Sequence, residues 1–168
     1  MSKYKGPMTA EELMKRLSAD PEYLRMRAEQ DEKRRILWER LDSIERPYLK
    51  DLADAGFPAD SIENVVEKYA PLPDVAVHIL LNCLKDCRQL QIQDSLIRAL
   101  GAAQYPFDGR LLIDLLNAMQ NVQIQFAILN TIALAKPHSI DDWLEKARQD
   151  DYLRKTLTNL GYKWKKSR

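Results

Sequence analysis

The feature that most constrains this chain is a repeat in its second half with a period of about 32 residues. The segment Gln91-Ile92-Gln93 returns as Gln123-Ile124-Gln125, and the apolar segment 79–81 returns at 111–113. A period of roughly 20–50 residues is typical of stacked helical or strand-based units that bury their apolar faces against one another. The sequence therefore predicts a repetitive array that presents an extended surface, without a convincing catalytic centre.

The composition favours helix and one globular domain. The chain has 168 residues, of which 45% are hydrophobic and 30% charged, and it contains 5 glycines. This length is sufficient to bury a core without metal or disulfide support. Leu, Ala, Glu, Lys and Arg dominate over Val and Thr, which favours an all-α fold. The net charge of +1 gives no bulk electrostatic attraction to nucleic acid or to an anionic membrane.

The location expected for this chain is the cytoplasm. No apolar run approaches the roughly 20 residues that span a bilayer. Residues 1–14 lack the apolar stretch of a secretion signal. The two cysteines do not make a disulfide framework. We therefore expect no membrane partner.

The first third of the chain contains two sequence patterns that predict the start of a helix. Thr9 followed by Glu12 predicts a capping box and a short helix behind it. Asp20-Pro21 predicts an N-cap and first turn for a highly charged helix from residue 22 to about 46. The mixed charges of residues 29–46 indicate a solvated face, with a docking surface for another helix as the alternative.

Residues at and beyond the predicted end of this helix give further predictions. Pro47 is expected to break or kink it, because proline has no amide hydrogen and crowds the preceding turn. Gly56 suits a C-terminal cap. Asp60, with Glu63 three residues on, predicts the N-cap of another helix.

The repeats themselves predict three antiparallel helical hairpins, each following a proline at 73, 106 or 137. Within one globular domain, the predicted division is a charged helical region over 1–58 that packs on the repeats, repeats over 59–162, and a basic tail over 163–168. The predicted helix pairs are 74–87 with 91–103, 108–119 with 121–135, and 140–149 with 151–160.

The order of these segments resembles a known group of proteins. Asp-Pro-Glu-Tyr at 20–23, Pro-Tyr-Leu-Lys-Asp-Leu at 47–52 and Tyr-Ala-Pro-Leu-Pro at 69–73 precede the paired helices. The paired helices, the proline before each first helix and the 32-residue period resemble HEAT-like and armadillo-type repeat proteins. The segments that precede them resemble a group of bacterial HEAT-like proteins with a charged leading helix. The resemblance implies a short α-solenoid and a binding role. It supplies no catalytic residue. A narrower version of the implied binding role is that of a bacterial immunity or regulatory adaptor protein.

Two groups of residues could carry chemistry, and both have a structural interpretation. Cys83 and Cys87 share one helical face, but a zinc site needs further ligands, so we expect buried, reduced thiols without metal. His138 precedes Ser139 and two aspartates, and here we expect Ser139 to cap a helix whose first turn is acidic. No catalytic residue, metal, cofactor or small-molecule substrate is predicted.

The partner-binding surface is predicted on the second helix of each pair. If Ile92, Leu96 and Leu100 face the core, then Asp94 and Arg98 point away and Ile97 lies on a flank. A shift of one repeat carries Asp94, Ile97 and Arg98 onto Phe126, Leu129 and Asn130, so that both trios are expected to line one continuous face. For the helix over 121–135, apolar on every side, two interpretations remain open. Phe126 and Leu129 are buried, or they are displayed as anchors for a partner.

The predicted function is that of a non-enzymatic protein-protein interaction module. Its partner would be another protein that fits a rigid surface of the repeats. The alternative is a helical repeat protein that binds nucleic acid, which requires Arg98, Arg154, Lys155 and the basic tail to converge on one face.

Overall fold

The computed structural model describes residues 8–164, and within that range the chain folds into nine α-helices with no strand, so the all-α prediction is confirmed. Residues 165–168 of the predicted basic tail lie outside the described residues. The helices are α1 Ala10–Leu17, α2 Pro21–Asp54, α3 Ile62–Tyr69, α4 Asp74–Asp86, α5 Leu90–Leu100, α6 Arg110–Ala118, α7 Val122–Ala135, α8 Asp141–Gln149 and α9 Asp151–Asn159.

The chain divides into two compact units, with the boundary after Asp42 inside α2. In the first unit, the predicted capping box is confirmed: the Thr9 hydroxyl accepts from the Glu12 amide, and the Glu12 carboxylate accepts from the Thr9 amide. Asp20 also caps as predicted, since its carboxylate accepts from the amides of Glu22 and Tyr23.

The first unit carries exposed ion pairs along its helices. Arg35 bonds Glu32 at 2.7 Å and Glu39 at 2.5 Å, one helical turn to either side. These side chains are more than half exposed, so water screens both pairs and each contributes little to stability. Of the residues that the structure describes in this unit, Leu41 is the one that is buried.

The charged helix is longer than the sequence predicts, because it continues through Pro47 to Asp54. The expectation that Pro47 breaks the helix is wrong. Ile44 and Tyr48 are half-buried and Leu52 is fully buried, so one apolar stripe continues across the proline. Burial of that stripe can offset the roughly 3 kcal/mol that an interior proline costs.

Gly56 ends α2 as predicted. It has φ +96, a left-handed conformation that glycine adopts without strain. The Phe57 amide donates to the Leu52 carbonyl at 2.9 Å, and the Gly56 amide donates to the Ala53 carbonyl at 3.0 Å. These two bonds form a Schellman motif and satisfy carbonyls that the helix end leaves without partners.

Helices of the second unit contact one another in a regular order. Contacts run from α3 to α5, from α5 to α7, and from α7 to α9, so each of these four helices contacts the next. The first helix of each predicted pair packs on its own second helix, α4 on α5, α6 on α7, and α8 on α9. The predicted pairing of helices is therefore confirmed, and the α5–α7 contact is the most extensive.

A glutamine that recurs after one repeat joins the two helices in two of the pairs. The Gln93 side-chain amide donates to the Cys87 carbonyl at 2.8 Å, and the Gln125 side-chain amide donates to the Met119 carbonyl at 2.8 Å. The two donors are one repeat apart, as are the two acceptors, and both acceptors are C-cap residues of a first helix. A second helix therefore satisfies the end of its own first helix, which gives the Gln-Ile-Gln repeat a physical reason.

Main-chain hydrogen bonds join the linkers that precede the first helices. The Leu72 amide donates to the Ala102 carbonyl, and the Gln104 amide donates to the Leu72 carbonyl, both at 2.8 Å. Further along the same linker, the Gly109 amide donates to the His138 carbonyl at 3.0 Å, and the His138 amide donates to the Phe107 carbonyl at 2.8 Å. The middle linker is thus bonded to the one on each side, which holds successive helix pairs at a fixed spacing.

Two predicted caps are wrong. Ser61 caps α3 in place of Asp60, because the Ser61 hydroxyl accepts from the Asn64 amide at 3.1 Å. Ser139 does not cap α8: Ile140 occupies the N-cap without a side-chain bond, while Ser139 has φ +66 and bonds the His138 ring at 2.8 Å. The main-chain hydrogen bonds of His138 with Phe107 and Gly109 determine the backbone path at Ser139. The sequence pattern that predicts a cap does not contain these long-range bonds.

Ile128 lies in the centre of the core and is fully buried. We expect Ile128→Ala to lower the free energy of unfolding by about 2–5 kcal/mol, because truncating a large core aliphatic leaves a cavity. Leu80→Ala, at another fully buried position, should cost a similar amount. Urea denaturation measures both, and the control Leu134→Ala on the exposed side of α7 should stay within about 0.5 kcal/mol.

The glutamine bond generates a second stability prediction. Gln93→Met keeps the length of the side chain but removes the donor, leaving the Cys87 carbonyl without its partner. The expected loss is about 1 kcal/mol, because the cost of the unsatisfied carbonyl is partly offset by the removal of Gln93 Oε1, which is buried without a hydrogen-bond partner among the described residues. Gln123→Met is the control, because Gln123 is exposed. Equal denaturation midpoints for the two variants would contradict the role given to Gln93.

Candidate functional site

The outward side of α5 carries a charged pair. Arg98 donates to the Asp94 carboxylate at 2.7 Å, one helical turn away, and both side chains remain partly exposed. The second carboxylate oxygen of Asp94 is buried and has no hydrogen-bond partner among the described residues. The outward position predicted for Asp94 and Arg98 therefore agrees with the structure, and their charges already bind each other.

The outward side of α7 is apolar. Val122, Phe126 and Leu134 have 71%, 47% and 58% of their surface exposed. They are spaced at multiples of four, with the partly exposed Asn130 between the last two, so they follow one line along the helix. We call these four residues the outer stripe. Large exposed apolar residues in a continuous line are typical of interaction surfaces.

Two members of the predicted site do not lie on this surface. Ile97 is fully buried and Leu129 is 3% exposed, so the expectation that they line the outward face is wrong. Helix α5 is contacted by α3, α4 and α7, and helix α7 by α5, α6 and α9. The Ile97 carbonyl also accepts from the Thr131 hydroxyl of α7 at 2.7 Å, which places that part of α5 against its neighbour.

The open question about the helix over 121–135 is therefore resolved differently for its two residues. Leu129 is buried, as the first interpretation expects, whereas Phe126 is displayed, as the second expects. Sequence reasoning missed Val122 and Leu134. Their signal was present in the four-residue spacing from Val122 to Leu134, but neighbouring helices had to be placed before the exposed side could be chosen.

The two cysteines are buried, as predicted, and lie near Tyr48 of α2. Burial raises the pKa of Cys83 to about 11, with a smaller effect of the Asp51 charge. Burial and the neighbouring Cys87 raise the pKa of Tyr48 to about 12. These shifts keep Cys83 as a thiol at neutral pH, which does not favour the thiolate that nucleophilic catalysis requires.

Within residues 8–164, no group of three or more His, Cys, Asp or Glu side chains is arranged to hold a metal ion. His138 bonds its own neighbour Ser139, an arrangement that positions the linker. The same residues include no helix long and apolar enough to cross a membrane.

Comparison of the chain with protein-family models, with curated protein sequences and with solved structures gives no match.

Raised pKa values of Cys83 and Tyr48 predict a loss of stability in alkali. The unfolded chain releases the Cys83 proton near pH 9, whereas the folded chain retains it to about pH 11. Stability is therefore fully present below pH 9 and falls as the pH rises towards 11. Denaturation at several pH values should show a steeper fall for the wild type than for Cys83→Ala, and parallel curves would contradict the burial effect.

Proposed function

We propose that this chain is a non-enzymatic protein-protein interaction module built as a short HEAT-like α-solenoid. Support for the solenoid comes from the successive contacts of α3, α5, α7 and α9, from the packing of each first helix on its own second helix, and from main-chain bonds between successive linkers. Elements that contact their sequence neighbours in this way are typical of repeat proteins. A bacterial immunity or regulatory adaptor protein is the narrower form of this proposal.

The observation that carries the proposal is the outer stripe of α7. Its three apolar side chains are about half exposed or more, although the helix also supplies the core. Phe126 lies at the position equivalent to Asp94, and Asn130 at the position equivalent to Arg98. The surface therefore combines an apolar ridge with an adjacent charged pair, and an aromatic anchor beside groups that can form charge-assisted bonds suits a protein partner.

The alternative, nucleic-acid binding, is less well supported. Arg98 bonds Asp94 at 2.7 Å, and Arg154 bonds Asp151 at 2.5 Å. Two of the cations that would contact phosphate are therefore each paired with a neighbouring carboxylate. Phosphate binding gains most of its affinity from cations that can release counterions from the nucleic acid.

The proposed function predicts that polar substitutions in the outer stripe remove partner binding. Val122→Ser combined with Phe126→Ser should abolish recovery of a specific protein from native lysate, while the unfolding midpoint changes little, because both side chains are exposed. The matched control is Val75→Ser with Tyr105→Ser, which alters two exposed apolar residues elsewhere in the same unit.

Capture followed by mass spectrometry measures the result. Recovery of the same protein by wild type and control, but not by the stripe variant, would support the proposal. Equal recovery by all three would refute the role of the stripe. Recovery of nucleic acid in a nuclease-sensitive form, lost in Arg98→Gln, would favour the alternative.

A further inference from the structure

A groove lies between α6 and α8, which are the first helices of two successive pairs. The outer stripe, on which the proposed function rests, does not include this groove. The groove encloses about 440 Å³. Ile113, Ile140 and Trp143 supply its apolar lining, and Asp114, Asp141 and Asp142 supply carboxylates. The groove therefore combines an aromatic surface with three acidic groups in one concave site.

The groove has a counterpart one repeat earlier. Between α4 and α6 lies a second groove of about 410 Å³. A shift of one repeat carries its Leu81 onto Ile113, its Asn82 onto Asp114 and its Leu111 onto Trp143. The same repeat thus contributes to both grooves, which share Arg110 and Asp114. The α4–α6 groove is also lined by His78, Lys85 and Asp108, whereas the α6–α8 groove has Trp143, Asp141 and Asp142.

The charges of the α6–α8 groove are not balanced within it. Arg110 is the one cation among its described lining residues, and it is bound to Asp108. The Arg110 Nε lies 3.0 and 2.9 Å from the two Asp108 carboxylate oxygens. This bond holds the pKa of Asp108 at about 2, so the pair stays ionised. The charge of Asp114 also acts on Arg110, which leaves Asp141 and Asp142 without a cation among the lining residues.

Asp114, Asp141 and Asp142 form no salt bridge with any residue that the structure describes. Asp141 and Asp142 also lie in the first turn of α8, where the helix dipole favours negative charge. The groove therefore places three exposed carboxylates beside an aromatic ring, and the positive end of the α8 dipole compensates part of the charge of two of them.

We propose that the α6–α8 groove binds an arginine- or lysine-containing peptide segment of a partner protein. A cationic side chain would lay its apolar stem over the half-buried Ile113, place its charged group against the Trp143 ring, and bond the surrounding carboxylates. Aromatic faces attract cations, and guanidinium groups form charge-assisted bonds with carboxylates. This site stands whether or not the outer stripe of α7 binds a partner.

The test uses a fluorescently labelled ten-residue peptide with two arginines and two lysines in a glycine-serine background. Fluorescence anisotropy measures its affinity for the full chain. Asp114→Asn combined with Asp142→Asn should weaken binding about tenfold, because two carboxylate contacts are lost. The matched control, Asp86→Asn with Glu145→Gln, removes the same charge at exposed positions outside the groove and should change the affinity less than about twofold.

Nuclear magnetic resonance supplies an independent readout. The indole resonance of Trp143, assigned with a Trp143→Phe variant, should shift on addition of the peptide, while those of Trp38 and Trp164 stay in place. Thermal unfolding of each variant checks that the fold is retained. Asp142→Asn by itself tests the α6–α8 groove without altering the α4–α6 groove, which Asp114 also lines.

The outcomes separate clearly. Selective weakening by the groove variants together with a Trp143 shift would support the site. Equal weakening by groove and control variants, equal binding of a matching glutamate peptide, a shift confined to another tryptophan, or no binding at all would overturn it.

Discussion

The spacing of neighbouring helix pairs depends on main-chain hydrogen bonds between the linkers that precede their first helices. The middle linker bonds Leu72 on one side and His138 on the other, so three successive pairs are held in one register. Close approach is essential here, since a Cβ at Gly109 would lie 2.9 Å from Ile140 and Pro137 atoms.

A second set of bonds acts within each pair. Gln93 and Gln125 satisfy the carbonyl at the end of the preceding helix, which fixes how each second helix lies against its first. Hydrogen bonds to main-chain groups therefore maintain the architecture, and the outward side chains are free to differ. Asp94 and Arg98 on α5 give way to Phe126 and Asn130 on α7, so one scaffold presents a charged face and an apolar face side by side.

Helix α7 shows how this freedom is used. Its inward residues, among them Ile128 and Ile132, are fully buried, yet Val122 and Leu134 remain more than half exposed. Exposed aliphatic side chains contribute little to the core, and core stability by itself gives no reason for their continuous line. Between the first helices of successive pairs, the change from Leu111 to Trp143 similarly alters the lining of a groove. The binding roles that we propose rest on these two differences.

Local patterns in the sequence determined the helices, their pairing and several of their ends, because helical periodicity, the Thr9 and Asp20 caps and Gly56 act over a few residues. The repeat period also located the residues that would recur. It could not decide that Ile97 and Leu129 are buried while Val122 and Phe126 are exposed. That depends on which flanks of α5 and α7 are covered by helices distant in sequence. The Ser139 conformation and the acidic groove likewise follow from linker bonds and from helices brought together, and these long-range contacts exist only in the tertiary structure.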